Sequence, residues 1–191
     1  YKLCKLAEED DENDYFFIID EINRGNLSKI FGELFMLIEK DKRGIELQLL
    51  YSDENFSVPA NVYIIGMMNT ADRSLAMLDY ALRRRFSFFT MKPGFNTPGF
   101  QAYQDYLKSD AFNKLIACVK QLNSKIAEDI SLGEGFSIGH SYFCGLTPET
   151  ANTQTLSSIV EYELIPLLKE YWFDESAKIV DWSDRLRSAV K

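Results

Sequence analysis

Two continuous runs of apolar residues dominate the first half of the chain, and each of them ends in polar residues. The first run spans residues 15–19 and leads into a pair of carboxylates, and the second spans residues 62–68 and leads into an amide. Continuous apolar runs of this length predict strands that are buried on both faces, as in a parallel sheet. Between them, apolar spacings of three and four predict an amphipathic helix over residues 27–39 with Asn26 as its N-cap. This order predicts a βαβ unit.

Weaker patterns surround these elements. The acidic composition of residues 5–14 predicts a solvated loop. Alternation over residues 45–49 and 56–58 predicts a hairpin, and residues 87–91 alternate enough to predict a third strand.

Pro-Gly pairs at residues 93–94 and 98–99 then predict a domain boundary. We therefore expect an α/β domain over residues 1–93 and a helical domain over residues 94–191.

The second half is expected to be helical because its apolar residues recur at helical spacing. One long helix should bury a stripe that consists of Leu115, Val119, Leu122, Ile126 and Ile130. A second helix is predicted over residues 156–172 with a kink at Pro166, and a last one over residues 174–190.

Composition and charge argue against several classes of function. The net charge of −8 and the pI near 4.8 argue against a main DNA-binding surface in this segment. Three widely spaced cysteines indicate reduced thiols and a cytoplasmic setting. A single histidine excludes most histidine-based metal sites, and no apolar run approaches the ~20 residues of a membrane span. Because the first residue is Tyr1, we expect a piece of a longer protein.

The polar residues at the two strand ends are the candidate chemistry. Asp20 and Glu21 after a buried strand suit a Walker B element, with Asp20 on Mg²⁺ and Glu21 orienting the water that attacks a nucleoside triphosphate. Asn69 would lie beside them if the strands are neighbours, and its amide could hold that water or the terminal phosphate. The alternatives are a solvated helix cap for the carboxylates and an ordinary turn residue for the amide.

Three adjacent arginines, Arg83, Arg84 and Arg85, follow. An arginine supplied by a neighbouring subunit can stabilise the charge that gathers on a transferred phosphoryl group, and we favour Arg84 and Arg85 for this role. The alternative is a solvated basic turn or salt bridges to the acidic surface.

Three motifs together resemble the McrB branch of AAA+ proteins: residues 20–26 (DEINRGN), 68–74 (MNTADRS) and 79–86 (DYALRRRF). Residues 138–143 and 162–173 also look like the lid of that branch. The resemblance implies an α/β fold, namely the C-terminal part of a P-loop AAA+ core with a parallel sheet, followed by an all-helical lid subdomain. It implies a GTP-hydrolysing motor subunit of modification-dependent (5-methylcytosine) restriction systems.

The resemblance also implies roles by position. Asp20 looks like the Mg²⁺-side residue, Glu21 like the catalytic carboxylate and Asn69 like the first sensor. Asp72 and Arg73 belong to the signature loop that organises the nucleotide site and couples it to a partner subunit. Arg84 and Arg85 look like intersubunit fingers. His140 would lie in the lid near the nucleotide, although a histidine after a glycine is more often a hydrogen-bonded loop residue.

The P-loop motif, G-x-x-x-x-G-K-[ST], is missing from the 191 residues. The family carries it upstream of the Walker B strand, together with the DNA-reading domain. The chain alone is therefore expected to bind GTP or ATP weakly or not at all. The partners implied for the parent are copies of itself in a homo-oligomeric ring, a McrC-like nuclease subunit, and DNA held by domains outside this chain, without a membrane.

Three other interpretations stay open. The chain could come from a MoxR or dynein-related AAA+ ATPase that remodels proteins, or from a non-catalytic AAA+ scaffold module. A carboxylate nuclease that uses Asp20 and Glu21 as metal ligands is disfavoured, because the further spaced acid and lysine that such a site needs are not nearby.

Overall fold

The computed structural model describes residues 1–50, 53–69, 71 and 83–191. The chain divides into two compact units, Tyr1–Phe89 and Thr90–Lys191, each with its own internal packing. The domain boundary expected after residue 93 stays a prediction. Within the described ranges, no helix is both long enough and apolar enough to cross a membrane.

The described part of the first unit contains four strands, which are β1 (Tyr15–Ile19), β2 (Leu47–Gln48), β3 (Asn55–Phe56) and β4 (Val62–Gly66). β1 and β4 pair in parallel, from Tyr15 opposite Val62 to Ile19 opposite Gly66. β2 and β3 form an antiparallel pair, which confirms the predicted hairpin. The predicted parallel pairing of the two apolar strands is therefore confirmed.

The prediction that these strands are buried on both faces is wrong for the described residues. In β1 the side chains of Phe16, Phe17 and Ile18 are 55%, 45% and 59% exposed, and in β4 Tyr63 is 47% exposed. A strand is buried on both faces only when strands flank it and helices cover the sheet. Among the described residues of this unit, β1 and β4 pair with each other and with no further strand.

The predicted helix over residues 27–39 is interrupted. α2 (Leu27–Phe31) begins as expected, because the Asn26 side chain accepts a hydrogen bond from the Lys29 N–H at 3.0 Å. Gly32 then adopts a left-handed φ of +52°, and residues Gly32–Ile38 continue as a 3₁₀ helix. The apolar pattern survives this change, since Phe35 and Leu37 are buried.

The acidic start of the chain also differs from the expected loop. Residues Lys2–Glu9 form helix α1, which buries Cys4 and Ala7 in a cluster with hairpin residues. The Asn61 side-chain amide ties the segment after this helix to β4 by donating to the carbonyls of Ala7, Asp10 and Asn13 at 3.1, 2.8 and 3.0 Å.

The predicted strand over residues 87–91 is wrong. These residues form no ladder, and Phe88, Phe89 and Met91 are 52%, 88% and 87% exposed. Alternation predicts a strand only where a partner strand is available to satisfy its backbone.

The second unit is helical throughout its secondary structure. It contains α3 (Pro98–Leu107), α4 (Asp110–Glu128), α5 (Thr153–Ile159), α6 (Ile165–Tyr171) and α7 (Ser176–Ala189), with short 3₁₀ turns between them. Four of the five predicted stripe residues in α4 are fully buried, whereas Ile130 lies beyond the end of the helix and is completely exposed. The core is one cluster that includes Phe112, Leu156 and Trp172.

A π-helical turn lies just before Pro166, the residue at which the sequence predicts a kink. Residues Val160–Leu164 form this turn between α5 and α6, with the Ile165 N–H bonded to the Val160 carbonyl. Proline has no N–H and its ring clashes with the carbonyl four residues earlier in a regular helix. The wider turn removes that conflict just before Pro166.

Candidate functional site

The ends of β1 and β4 lie side by side at one edge of the sheet. Beyond the last paired residues, the Met67 N–H donates to the Ile19 carbonyl at 2.8 Å, and the Ile22 N–H donates to the Met67 carbonyl at 2.9 Å. The polar residues that follow the two strands therefore emerge at the same edge. The sequence-based expectation that these strand ends are neighbours is confirmed; the chemical roles of the residues stay predictions.

The two carboxylates of this edge are exposed and are held by local bonds. Asp20 Oδ1 accepts a hydrogen bond from the Glu21 N–H at 2.9 Å. Glu21 has a left-handed backbone, with φ 49° and ψ 46°, although it is not a glycine. Its Oε2 lies 2.8 Å from the Nε of Arg24, three residues later. Left-handed backbones of non-glycine residues are uncommon and concentrate at functional sites.

The turn after β1 lies close against the end of β4. Residues Ile22–Arg24 form a 3₁₀ turn, and Ile22 is 6% exposed. A Cβ added to Gly66 would lie 2.5 Å from the Ile22 Cδ1, so only a glycine fits there without movement. The Oδ1 atom of Asn23 is buried in the same turn and has no hydrogen-bond partner among the described residues.

Asn69 follows β4 and is exposed. Its Oδ1 accepts a hydrogen bond from the Ala71 N–H at 3.0 Å, so the side chain closes a turn in this structure. Asp72 and Arg73, the predicted signature-loop residues, lie outside the described residues.

The structure separates the two candidate finger arginines. Arg85 has a side chain that is 7% exposed, is ion-paired with Glu39 and places its guanidinium carbon 4.3 Å from the centre of the Phe35 ring. Arg84 is 70% exposed and lies 3.7 Å from the same Glu39 carboxylate. Because a finger must reach another subunit, this geometry favours Arg84 over Arg85.

The contacts of His140 in the second unit favour the interpretation that it is a hydrogen-bonded loop residue. Its Nδ1 accepts a hydrogen bond from the Gly94 N–H at 2.9 Å, and the ring packs edge-on against Phe95 and Phe100. This acceptor role requires that Nδ1 carries no proton.

The oxygen ligands at the strand edge suit a magnesium ion, which needs few protein ligands, better than a metal ion that protein ligands surround. The described residues contain no group of three or more His, Cys, Asp or Glu that could hold a metal. Mg²⁺ usually keeps several waters and binds one or two carboxylates together with substrate phosphates. A single exposed carboxylate, Asp20, is consistent with that mode.

Sequence reasoning missed Arg24 and the left-handed turn at Glu21. The motif contained both residues, but neither hydrophobic periodicity nor charge spacing indicates which side chain an exposed arginine contacts. The one available signal was the spacing of three residues between opposite charges, which brings them together in a helical turn.

Family models match two parts of the chain. The model of the AAA domain (dynein-related subfamily) matches residues 5–86, and the model of the McrB alpha-helical lid domain matches residues 114–180. The described structure agrees with this order, since a unit with a parallel strand pair precedes a helical unit.

Two curated proteins are similar to the chain. The Type IV methyl-directed restriction enzyme EcoKMcrB subunit of Escherichia coli (strain K12) is 52% identical over 97% of this chain and 43% of its own length. The Type II restriction enzyme BsuMI component YdiS of Bacillus subtilis (strain 168) is 29% identical over 64% of this chain and 42% of its own length. The chain thus spans less than half the length of these relatives.

Proposed function

The chain belongs to the McrB-type AAA+ proteins, with part of the AAA domain followed by the helical lid, and on this basis we propose that it carries part of a nucleoside triphosphate hydrolysis site. The parent protein would be a cytoplasmic, ring-forming motor subunit of a modification-dependent DNA restriction system. The substrate would be GTP or ATP, with GTP favoured by the resemblance to McrB.

The observation that carries this proposal is the in-register parallel pairing of β1 with β4. It brings the acid pair after β1 and the amide after β4 to one edge of the sheet, where open α/β sheets bind ligands. Both carboxylates are exposed there and can meet a nucleotide.

Each residue has a distinct task in the proposed reaction. Glu21 accepts a hydrogen bond from the attacking water and orients it, and Asn69 holds that water or the terminal phosphate after leaving its turn bond to Ala71. Asp20 would hold Mg²⁺, which when bound neutralises phosphate charge. The water oxygen bonds to the terminal phosphorus, the bond from that phosphorus to the bridging oxygen breaks, and the bridging oxygen leaves with the nucleoside diphosphate. One proton of the water stays on the new phosphate hydroxyl and the other passes to a phosphate oxygen.

The remaining site residues act around this centre. Asp72 and Arg73 are proposed to organise the nucleotide and couple it to a neighbouring subunit. Arg84 is proposed as the finger from the next subunit of the ring, because its side chain is 70% exposed. Arg85 is the less favoured candidate for this finger, because its guanidinium pairs with Glu39 and packs against Phe35 within its own unit.

The proposed partners follow from the relatives. Both are named as parts of restriction enzymes, one as a subunit and one as a component. We propose that the parent assembles with copies of itself and with a McrC-like nuclease subunit. DNA would be held by other domains, since this chain has a net charge of −8.

The 191-residue chain by itself is proposed to be inactive, since the motif that cradles phosphates is missing from it. Titration of labelled GTP and ATP into the isolated chain should give no saturable binding at micromolar concentration. Saturation in that range would contradict this part of the proposal.

The proposal is tested in the full parent protein with Glu21→Gln. Amide for carboxylate keeps the size of the side chain but removes its charge and basicity, so we expect turnover to fall about 100-fold or more. Nucleotide affinity, measured by equilibrium titration, should stay within about twofold. Glu12→Gln, at an exposed position in the same unit, is the matched control and should hydrolyse like the unchanged protein.

Unchanged turnover in Glu21→Gln would defeat the assignment of Glu21. Absence of turnover in the unchanged parent, with its nuclease partner present, would favour the scaffold alternative. The dynein-related description of the matched AAA model supports the remodelling ATPase as second candidate. It would be favoured by an ATP-only activity that no nuclease subunit stimulates.

A further inference from the structure

An ion pair joins Glu21 to Arg24 across the 3₁₀ turn that follows β1. The Arg24 Nε lies 2.8 Å from Glu21 Oε2, and the Arg24 N–H donates to the Glu21 carbonyl at 2.8 Å. Arg24 therefore contacts the residue that we propose to orient the attacking water in two ways, by a main-chain hydrogen bond and by a side-chain ion pair.

The backbone beneath this pair is held on both sides. Before Glu21, the Ile19 carbonyl accepts from Met67, and after it the Ile22 N–H donates to Met67. Between these bonds Glu21 adopts its left-handed conformation, with φ 49°. A non-glycine residue keeps such a backbone only when its surroundings enforce it. The direction in which the Glu21 side chain leaves the backbone is therefore set.

Among the described residues, Arg24 is the side chain that contacts the end of the Glu21 side chain. A glutamate has three side-chain torsions, and an exposed carboxylate samples several of them unless something holds it. A carboxylate has two oxygens with about four acceptor positions. The ion pair with Arg24 at Oε2 restrains the carboxylate and still leaves capacity to accept a hydrogen bond from water.

As a source of stability this pair should matter little. The side chains of Arg24 and Glu21 are 56% and 50% exposed, and exposed ion pairs contribute little to stability because water screens them. Lys5 and Glu8 form a comparable pair at the same spacing in α1, with 2.7 Å between Nζ and Oε2. The two pairs differ in place, since only the Glu21 pair lies at the edge where the two strand ends meet.

We propose that Arg24 is a positioning residue for hydrolysis, which holds the Glu21 carboxylate in the orientation that the attacking water requires. The inference rests on the proposed role of Glu21. Misplacing a catalytic group by an ångström can lower a rate about 100-fold without changing what is bound. Loss of Arg24 should accordingly lower the rate of the chemical step and leave nucleotide affinity unchanged.

The experiment compares variants of the full parent protein by kcat, KM and equilibrium nucleotide binding. Arg24→Ala should lower kcat by about tenfold to 100-fold with KM and affinity within about twofold. Arg24→Lys should recover part of the loss, because an ammonium can reach the same oxygen as a single donor. Lys5→Ala removes the comparable exposed pair and should leave kcat unchanged.

A double variant shows whether Arg24 acts through Glu21. In single-turnover measurements at high enzyme concentration, adding Arg24→Ala to Glu21→Gln should cause no further loss, because the carboxylate to be positioned is already gone. Circular dichroism and size-exclusion chromatography establish that each variant folds and assembles. If Arg24→Ala does not, Arg24→Gln, which keeps the length but not the charge, takes its place.

The results separate this inference from the proposed function. If Glu21→Gln is inactive but Arg24→Ala turns over normally, the inference is wrong and the proposed function stands. The inference is also wrong if the two substitutions reduce the rate independently, or if Arg24→Ala acts only by weakening nucleotide binding. If Glu21→Gln itself turns over normally, the proposed function fails first.

Discussion

The side chain of Asp129 stabilises the helical unit, and we expect its replacement to lower the stability of that unit. It caps the C-terminal end of α4. Its Oδ2 accepts hydrogen bonds from Trp172 Nε1 and Lys178 Nζ, both at 2.9 Å, and its Oδ1 accepts one from the Ser131 N–H at 2.8 Å. The carboxylate thus joins the end of α4 to the end of α6 and to α7. The bonds from Lys178 and Trp172 lower the pKa of this carboxyl to about 2.

Asp129→Asn should lower the free energy of unfolding of this unit by about 2 kcal/mol at pH 6. Trp172 is 2% exposed and contributes most of this amount, since a hydrogen bond to a charged acceptor is worth about 1.5–3 kcal/mol and one to a neutral amide about half as much. Lys178 adds less than Trp172, because its side chain is 44% exposed and it also pairs with Glu175.

The difference between the two proteins should depend on pH in a definite direction. The folded pKa of Asp129 lies below the ordinary aspartate value of 3.8, so its charge stabilises the folded state. That contribution is complete above about pH 4 and is lost as the pH falls through about 2. The stability gap between the unchanged chain and Asp129→Asn should therefore shrink over this window.

Urea unfolding followed by tryptophan fluorescence measures the effect. Both tryptophans of the chain, Trp172 and Trp182, lie in the second unit, so the signal reports on that unit alone. Asp181→Asn is the matched control, because Asp181 is 53% exposed and pairs with Arg185 on the same helix; it should change stability by less than about 0.5 kcal/mol. A gap below 0.5 kcal/mol, which is about the control effect, or a gap that does not change with pH, would refute the reasoning.

Two further predictions concern the first unit, which hydrogen exchange can follow peptide by peptide. Asn61→Asp should destabilise residues 1–19 by about 2 kcal/mol more than Asn61→Ala, because a carboxylate would face the three carbonyls that the amide now binds; equal exchange in both variants would contradict this. Arg85→Ala should speed exchange over residues 22–39 by an amount equivalent to about 2 kcal/mol, because the Arg85 side chain is buried against Glu39 and Phe35. Arg84→Ala should change this exchange by less than about 0.5 kcal/mol, because the Arg84 side chain is exposed. The same effect from both arginines would show that their different burial has no energetic consequence.

The strand pair and its polar ends could be predicted because their signals are local. A continuous apolar run followed by polar residues identifies each strand and the place where it ends, and a helix between the strands indicates that they run parallel. The three motifs then indicated the family, which the comparisons support over both parts of the chain. The predicted roles of Asp20, Glu21 and Asn69 depend on those motifs and not on burial or periodicity.

The errors come from properties that depend on neighbours. Phe16 and Phe17 are apolar enough to be buried but are half-exposed, because burial requires covering elements that the described residues do not provide. Residues 87–91 alternate like a strand, yet they have no ladder partner in the described chain. Ile130 continues the stripe of α4 in sequence, but the helix ends at Glu128 and the following turn points it into solvent.

The amino-acid sequence by itself determined the two apolar strands, the hairpin, the α/β and helical parts and the family, because spacing, capping residues and motifs act over a few neighbouring positions. Only the tertiary structure decided that Glu21 has a left-handed backbone and pairs with Arg24, that Arg85 is enclosed while Arg84 is exposed, and that Asp129 joins three helices. These outcomes depend on which long side chains meet across turns and between elements. Since arginine, lysine and the acids can reach many partners from one position, the packed backbone must exist before a partner is selected.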